Sequence, residues 1–157
     1  GEADREGGGE GMRKYLVVAE EKELRLPAAV AAKDRTIIVT GCGGTNVVKA
    51  LRDINRKADI LNVGYVGGKG WPLGMELKVG TVRLYHPNCE YKDPVFFLDG
   101  DTPCLTAGDF VVDESTVKDG DIVDMELAYI CALGFRNVKS VKYVSDNFSL
   151  AEYHANT

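Results

Sequence analysis

The sequence contains no long apolar run and no excess of basic residues, and these two absences narrow the function classes. A membrane-spanning helix needs about 20 consecutive apolar residues, and no run in this chain approaches that length. The chain has 19 basic and 24 acidic side chains, for a formal net charge of −5, whereas binders of duplex nucleic acid usually carry a basic stripe. We therefore expect neither a membrane protein nor a nucleic-acid-binding protein.

Cysteine and histidine are few, and their spacing does not suit a metal. The chain has four cysteines and two histidines, and no two cysteines form a C-x-x-C pair. The cysteines are Cys42, Cys89, Cys104 and Cys131. Structural zinc sites use closely spaced pairs of such ligands, so we expect no metal. The N-terminus has no secretory signal pattern, and reduced thiols suit a cytoplasmic protein, which is the location we expect.

The length of 157 residues suits one domain with a single core. Residues 1–11, GEADREGGGEG, are rich in glycine and acid and show no apolar periodicity. Such a segment buries too little surface to offset its ordering entropy. We interpret it as a disordered tail or a remnant of cloning, and we predict a single α/β domain over residues 12–157.

Short apolar runs predict strands along most of the chain, and helices separate some of them. A glycine-rich turn after the second run leads into a helix with Val47, Val48, Leu51 and Ile54 on its apolar face. The spacing predicts a second helix over residues 120–135, capped at Gly134. The strands are predicted at residues 15–19, 36–40, 58–68, 79–86, 94–100, 105–112 and 138–147. This pattern favours a three-layer α/β/α domain with a central mixed, largely parallel sheet.

Two glycine-rich turns follow predicted strands, where ligands bind in sheets of this kind. The turn TGCGGTN, residues 40–46, could cradle a phosphate with its backbone amides. It lacks the Gly-Lys-Ser/Thr signature of a P-loop, and Asn46 occupies the third glycine position of a dinucleotide fingerprint. A tight strand-to-helix turn is the simpler interpretation. The turn GYVGG, residues 64–68, has the same two interpretations.

Several acidic residues follow strands or begin helices, and each one alone has two interpretations. Asp146 after the last strand could cap a turn or serve as a general acid. Glu126 lies about 100° from the apolar face of the predicted helix, so it is either a solvated helix flank or part of a site. The same holds for Asp124 and Glu23. Only their joint arrangement would decide between the two.

Four segments, in this order, resemble the nucleoside phosphorylase superfamily, and most of all its hydrolytic branch, typified by 5′-methylthioadenosine/S-adenosylhomocysteine nucleosidase. They are LVVAEEKEL, VTGCGGTNVVKAL, DILNVGYVGG, and VDMELAYICALGF followed by VKSVKYVSDN. The last segment is the most specific, because Met-Glu at a helix start and Ser-Asp after the next strand occur together. The similarity spans roughly residues 14–148, with gaps.

The resemblance implies roles in cleaving an N-glycosidic bond. Glu126 would hold the ribose hydroxyls, and Met125 would pack on the sugar face. Asp146 would protonate N7 of the purine as it leaves, with Ser145 orienting its carboxyl group. Glu23 would position and activate the attacking water.

Three more positions would shape the pocket around the substrate. Gly67 would line the sugar end, while Phe110 and Val111 would flank the base and offer it backbone hydrogen bonds. Tyr65 occupies the place of a small Ser or Thr, whose hydroxyl helps to hold phosphate in the phosphorolytic members. This change, and the lack of a phosphate loop resembling GDPxR, favour hydrolysis over phosphorolysis.

The chain also departs from the family pattern. It is shorter than typical members, with little more than RLPAAVAAKD between its first two strands and a final helix that is missing or truncated after Ala155. Lys142 replaces an arginine that is common before the Ser-Asp pair, which loses a rigid fork of donors. Asp124 replaces a glutamate, which is a milder change.

We therefore predict a nucleosidase that hydrolyses a purine nucleoside or a 5′-thio-nucleoside without metal or organic cofactor. A homodimer or higher homo-oligomer, and a role in purine salvage, are expected by resemblance. The alternatives are a nucleoside phosphorylase and a non-catalytic, repurposed member of the fold. Convergence of Glu23, Glu126 and Asp146 on one pocket would favour the enzyme, and a pocket filled by Tyr65 or open to bulk water would favour the repurposed member.

Overall fold

The computed structural model describes residues 12–86 and 93–157. The segment predicted to be a disordered tail, residues 1–11, lies outside the described residues, as does Cys89.

Strands and short helices alternate along the described chain. The strands are β1 Lys14–Val18, β2 Thr36–Val39, β3 Asp59–Gly68, β4 Glu76–Leu84, β5 Phe96–Phe97, β6 Thr102–Thr106, β7 Ile122–Asp124 and β8 Asn137–Asp146. The α-helices are α1 Pro27–Ala31, α2 Gly44–Leu51, α3 Leu127–Ala132 and α4 Leu150–Asn156, and 3₁₀ turns cover Glu21–Arg25 and Glu114–Thr116. Among the described residues, no helix has the length and apolar character needed to cross a bilayer.

All of these strands join one mixed sheet. β1 pairs in parallel with β2 and β3, and β3 pairs in parallel with β8. From there the pairing closes a ring, because β8 pairs with β4, β4 with β6, β6 with β7, and β7 again with β3. The β3–β7, β4–β8 and β4–β5 pairs are antiparallel. The predicted mixed α/β fold with a central, largely parallel sheet is confirmed.

Both faces of β1 are buried after Lys14, which explains why the sequence from Tyr15 to Val18 is apolar. Tyr15 and Val17 belong to the larger core cluster, together with residues of α2 and α3. Leu16 and Val18 belong to a second cluster on the other face, together with residues of α1. The three-layer arrangement as a whole stays a prediction.

The prediction of a helix over residues 120–135 is wrong for the first half of that segment. Ile122–Asp124 forms β7, whose residues pair with β6 and β3, and α3 begins only at Leu127. A short apolar run of this kind is ambiguous between strand and helix, and here the sheet offered partners on both sides. The predicted cap at Gly134 is confirmed, because its φ of +84° lies in the left-handed region that favours glycine.

Three smaller expectations also need correction. The strand predicted at residues 105–112 is displaced toward the N-terminus, because β6 ends at Thr106. Val48 is 40% exposed and does not share the buried face of α2 with Val47 and Leu51. The final helix was expected to be missing or truncated; it is not missing, because α4 forms at Leu150–Asn156, and its truncation stays a prediction. The helix α1 begins with Pro27, at a position where proline is favoured.

Candidate active site

A cavity of about 280 Å³ lies where β1, β3, β7 and β8 end, and all nine residues selected from the sequence line it. They are Glu23, Tyr65, Gly67, Phe110, Val111, Met125, Glu126, Ser145 and Asp146. Three of these, Glu23, Glu126 and Asp146, are the acids whose convergence was expected to distinguish an enzyme from a repurposed member. The fold thus brings the three acids to one cavity, while their individual roles stay predictions.

Glu23 is held at the floor of the cavity by three backbone amides. Its Oε1 accepts hydrogen bonds from the amides of Ala19 at 2.9 Å and Glu20 at 3.0 Å. Its Oε2 accepts one from the amide of Tyr65 at 2.8 Å. The sequence left open which acid of EEKE faces the site, and the structure shows that Glu20 and Glu23 line the cavity whereas Glu21 is exposed.

Glu126 is fixed by the glycine turn that follows β2. It precedes the first residue of α3, and its Oε2 accepts a hydrogen bond of 2.8 Å from the amide of Gly43. The turn TGCGGTN therefore offers one of its amides to an acid of the same chain. Burial raises the pKa of Glu126 to about 7, assisted by the negative charge of Asp124, while the Gly43 amide and the charge of Lys142 act in the opposite direction.

Asp124 is buried, and the interpretation of this acid as a solvated helix flank is wrong. It lies at the end of β7 with 4% exposure, because the chain is a strand there and points this side chain into the core. Oδ1 accepts a hydrogen bond of 2.6 Å from the Thr106 hydroxyl, and Oδ2 accepts one of 2.7 Å from the Leu127 amide. Lys142 Nζ completes the set at 3.2 Å from Oδ2.

Asp146 ends β8 and is only 1% exposed. The Ser145 hydroxyl donates to its Oδ2 at 2.8 Å, and the Phe148 amide donates to its Oδ1 at 2.9 Å. The residue thus caps its own turn and also lines the cavity, so the two interpretations of this acid do not exclude each other. Burial raises its pKa, and the two hydrogen bonds oppose the rise. A raised pKa suits a carboxyl group that must donate a proton near neutral pH.

Gly67 makes room for the residues beside Asp146. A Cβ at this position would lie 2.9 Å from the Phe148 ring and 3.1 Å from Asp146 Oδ1. Phe148 itself has a φ of +66°, in the left-handed region that is uncommon for a bulky side chain. This backbone conformation turns the Phe148 amide toward Asp146 and its ring toward Gly67. The position predicted for the sugar end is therefore one at which a side chain would not fit.

The far end of the cavity is aromatic. The rings of Phe110 and Tyr153 lie 5.6 Å apart, centre to centre, at an angle of 57°. Tyr153 and Leu150 come from α4, and sequence reasoning missed both of them because it left that helix out. The signal was present, since Ser149 and Glu152 form the S-x-x-E pattern that starts helices. The Ser149 hydroxyl accepts a hydrogen bond of 3.2 Å from the Glu152 amide.

Tyr65 borders the cavity without filling it. Its side chain packs against the core cluster on the other face of the sheet, near Val63 and Tyr143. The charged side chains of the lining are all acidic, and among the described residues no Lys, Arg or His belongs to it. Its acids are Glu20, Glu23, Asp109, Asp124, Glu126 and Asp146. In the same part of the chain, no group of three or more His, Cys, Asp or Glu is arranged to hold a metal ion.

No family model and no curated protein matches the sequence, but solved structures match the fold. A structure of an MTAN from Chlamydia trachomatis bound to MTA has a TM-score of 0.73 at 16% identity, covering 93% of this chain and 89% of that one. The futalosine hydrolase of Helicobacter pylori has a TM-score of 0.69 at 12% identity, with 92% and 90% covered. The chain has the nucleoside phosphorylase/hydrolase fold.

The nucleoside phosphorylase/hydrolase fold extends over nearly the whole described chain. A third structure, the 5′-methylthioadenosine/S-adenosylhomocysteine nucleosidase of S. pneumoniae with a transition-state inhibitor, has a TM-score of 0.66 at 16% identity, and 92% of this chain and 89% of that one are covered. The resemblance inferred from four short motifs is thus confirmed at the level of the fold. At these identities the likeness establishes the fold alone.

Proposed function

We propose that the chain hydrolyses the N-glycosidic bond of a purine nucleoside or a 5′-thio-nucleoside and releases free base and sugar. The observation that carries this proposal is the convergence of Glu23, Glu126 and Asp146 on one cavity. Each carboxylate is fixed there by hydrogen bonds from a backbone amide, so the three keep their relative places without a ligand. The similar structures named above include nucleosidases and a futalosine hydrolase, which supports N-glycosidic hydrolysis in general.

Asp146 is the general acid in this mechanism. A purine leaves poorly as an anion, and a proton delivered to its N7 makes it a neutral leaving group. Positioned general acids of this kind contribute about 10²–10⁴-fold. The Ser145 hydroxyl, which donates to Oδ2 at 2.8 Å, fixes the rotation of the carboxyl group. Burial, which raises the pKa of Asp146, favours the protonated form that the step requires.

Glu23 and Glu126 act on the sugar side. As the bond breaks, the ribose gains positive charge, and fixed carboxylates nearby stabilise that charge. Glu126 accepts hydrogen bonds from the ribose hydroxyls. Glu23 accepts a proton from the attacking water, and its Oε2, which has a single backbone donor, keeps a free lone pair for this purpose. Met125 packs on the sugar face between them.

The acidity of the lining favours water over phosphate as the nucleophile. Phosphorolysis needs a bound dianion, and phosphate sites usually supply arginine, lysine or converging amides. Here the charged side chains that line the cavity are carboxylates, and in the described part of the chain no basic side chain joins them. A neutral water molecule avoids the repulsion that a phosphate would meet.

The free volume beside Tyr65 weighs against a repurposed, non-catalytic member in which Tyr65 fills the site. Tyr65 was the residue expected to block the site in that case, yet about 280 Å³ remains free beside it. Small-molecule pockets begin at roughly 300 Å³, so the volume of this cavity is of the order that a nucleoside-sized ligand needs. We further propose that the enzyme serves purine salvage in the cytoplasm as a homodimer or higher homo-oligomer, without metal or organic cofactor.

A product assay tests this function. The protein is incubated with methylthioadenosine, adenosine, inosine and uridine, with and without phosphate, and free base is followed by chromatography. We expect base release from a purine substrate without phosphate, lowered at least about 100-fold in Asp146→Asn. Asp34→Asn is the control, because Asp34 is 70% exposed and far from the cavity lining, and it should leave the rate unchanged.

The remaining outcomes separate the alternatives. Base release that requires phosphate would mean that the enzyme is a phosphorylase. A folded protein that releases no base from any of the four nucleosides would contradict the proposed hydrolysis and favour the repurposed member.

A further inference from the structure

Lys142 is a buried cation beneath the candidate active site. It lies in the middle of β8, where its backbone pairs with β3 at Gly64 and with β4 at Leu77. The residue is 1% exposed, and its side chain does not reach the cavity lining. Its Nζ lies 3.2 Å from Asp124 Oδ2. A buried ammonium group is costly unless it is paired, so its surroundings must account for it.

Negatively charged side chains surround the Lys142 ammonium group on more than one side. A Cβ on Gly64 would lie 2.7 Å from Glu23 Oε2 and 3.4 Å from Lys142 Nζ, so the two charged groups flank the same bare position. Burial by itself lowers the pKa of Lys142, but the charges of Asp124, Glu126 and Glu23 raise it by more. The lysine is therefore charged: it pairs directly with Asp124, and the charges of Glu126 and Glu23 act on it from farther away.

Asp124 links this cation to the start of α3. The Oδ2 atom that faces Lys142 also accepts hydrogen bonds from the Leu127 amide at 2.7 Å and from the Glu126 amide at 3.3 Å. Lys142 thus pairs with Asp124, and Asp124 in turn accepts the hydrogen bond from the Glu126 amide. Asp124 and Lys142 both lie in the last of the four segments that resemble the family, and each departs there from the family pattern. The structure shows them as one ion pair.

We propose that Lys142 is a positioning residue, whose buried ammonium group fixes Asp124 under the first turn of α3 and keeps Glu126 ionised and directed at the sugar. The part that concerns the sugar rests on the proposed function, whereas the ionisation of Glu126 does not. The groups that face Glu126 are Asp124 from β7, Lys142 from β8, Glu23 from the 3₁₀ turn and the Cys42 thiol from the glycine turn. Of these, Lys142 alone is positive.

An inert buried ion pair would have a different consequence. Such pairs often add little to stability, although loss of one partner is costly. If Lys142 were only structural, its replacement would lower the free energy of unfolding without changing the protonation of Glu126 relative to the other carboxyl groups. The proposal instead requires that removal of the charge shift the titration of Glu126 to higher pH.

The first experiment needs no turnover. The chain is labelled with ¹³C at the glutamate carboxyl groups, the Glu126 signal is assigned by its loss in Glu126→Gln, and its titration is followed by NMR. We expect a wild-type midpoint near 7, because burial raises the pKa of Glu126 and the Gly43 amide and Lys142 oppose the rise only in part. In Lys142→Met the midpoint should rise by at least about one pH unit. Lys142→Arg, which keeps the charge, should stay close to the wild type.

Lys139→Met is the matched control, because Lys139 lies on the same strand with its side chain 51% exposed. If Lys142→Met does not fold, Lys142→Gln takes its place, since it removes the charge and keeps a donor toward Asp124. An unchanged Glu126 midpoint in the folded neutral variant would overturn the proposal.

The second experiment measures base release against pH in the same proteins. We expect the acidic limb of kcat/KM to move to higher pH in the neutral variant, with KM raised about 10-fold at pH 7, and Lys142→Arg to restore the wild-type profile. If the NMR midpoint shifts in the neutral variant but the wild-type protein releases no base, the charge relation is supported and the proposed function is contradicted. A shifted midpoint with an unchanged pH profile would overturn the role of Lys142 in the reaction.

Discussion

A Cβ atom on Gly64 would lie 2.7 Å from Glu23 Oε2, so the missing side chain at position 64 provides the space that the Glu23 carboxylate occupies. Real Cβ atoms do not approach a neighbour so closely, and Glu23 cannot easily move because three backbone amides hold it. One glycine in the middle of β3 therefore decides where Glu23, the acid proposed to activate the water, will lie.

Gly64→Ala should consequently impair the reaction through Glu23. The added methyl group displaces the carboxylate by about 1 Å, and misplacements of this size cost on the order of 10²-fold in rate. Gly108→Ala is the control, since a Cβ there meets no atom within 4 Å. Base release is compared at saturating substrate for the three proteins. Equal rates in Gly64→Ala and wild type would show that Glu23 does not act from this position.

The sequence predicts β1, β2, β3 and β8 to within about one residue at each end. Nearly continuous apolar runs mark β1 and β3, and such runs are typical of strands inside a sheet. β2 is largely exposed and β8 carries many polar residues, but their β-branched residues still favour a strand. β7 was taken for helix because three residues are too few to show a period. What makes it a strand is its pairing with β6 and β3, which are distant along the chain, and no local pattern contains that information.

The candidate site likewise has parts that local sequence patterns predict and parts that depend on contacts between distant residues. Motifs selected the nine residues that the fold brings to one cavity, because each motif is short and local. The pair of Asp124 and Lys142, by contrast, joins residues 18 positions apart on two strands. Each of these two residues departs from the family pattern in sequence. Their contact, however, depends on the closed ring of paired strands that brings β7 and β8 together. Tyr153 was missed for a local reason, since the start signal at Ser149 was not used.

Ser145→Ala should lower the rate without preventing substrate binding. The hydroxyl donates to Asp146 Oδ2 at 2.8 Å, and a hydrogen bond to a neutral carboxyl group, the form that the step requires, contributes about 0.5–1.5 kcal/mol. Loss of this bond leaves Asp146 less firmly held, so we expect kcat to fall by up to about 10-fold with little change in KM. Ser149→Ala, which alters only the cap of α4, is the comparison. An unchanged kcat in Ser145→Ala would show that the Phe148 amide alone orients the acid.

Tyr153→Ala should weaken binding of the base more than the chemical step. Its ring lies 5.6 Å from that of Phe110, and the Lys22 ammonium lies 4.5 Å above it. Stacking of a base on an aromatic ring contributes about 1–3 kcal/mol, so KM should rise about 10-fold while kcat changes little. Tyr153→Phe keeps the ring and should behave as the wild type. A kcat that falls with KM unchanged would place Tyr153 in the chemistry instead.

The stability of the fold should depend on pH through Glu126. Its carboxyl group ionises near 4.5 in the unfolded chain, whereas burial raises the pKa to about 7 in the folded protein. Between these values the folded state binds more protons, so the contribution of this group to the free energy of unfolding is largest below pH 4.5 and is lost as the pH rises through 7. Glu126→Gln cannot lose a proton and should lack this dependence.

Urea unfolding of the wild type and Glu126→Gln at several pH values from 5 to 8 measures the difference. We expect the variant to gain on the wild type as the pH rises, by on the order of 1 kcal/mol or more over this range, and the gain to level off above pH 7. Asp146, whose pKa burial also raises, is present in both proteins, so its effect cancels in the comparison. Parallel curves would mean that Glu126 titrates alike in the folded and unfolded chains, and then its contacts with Gly43 and the charge of Lys142 would have to offset burial completely.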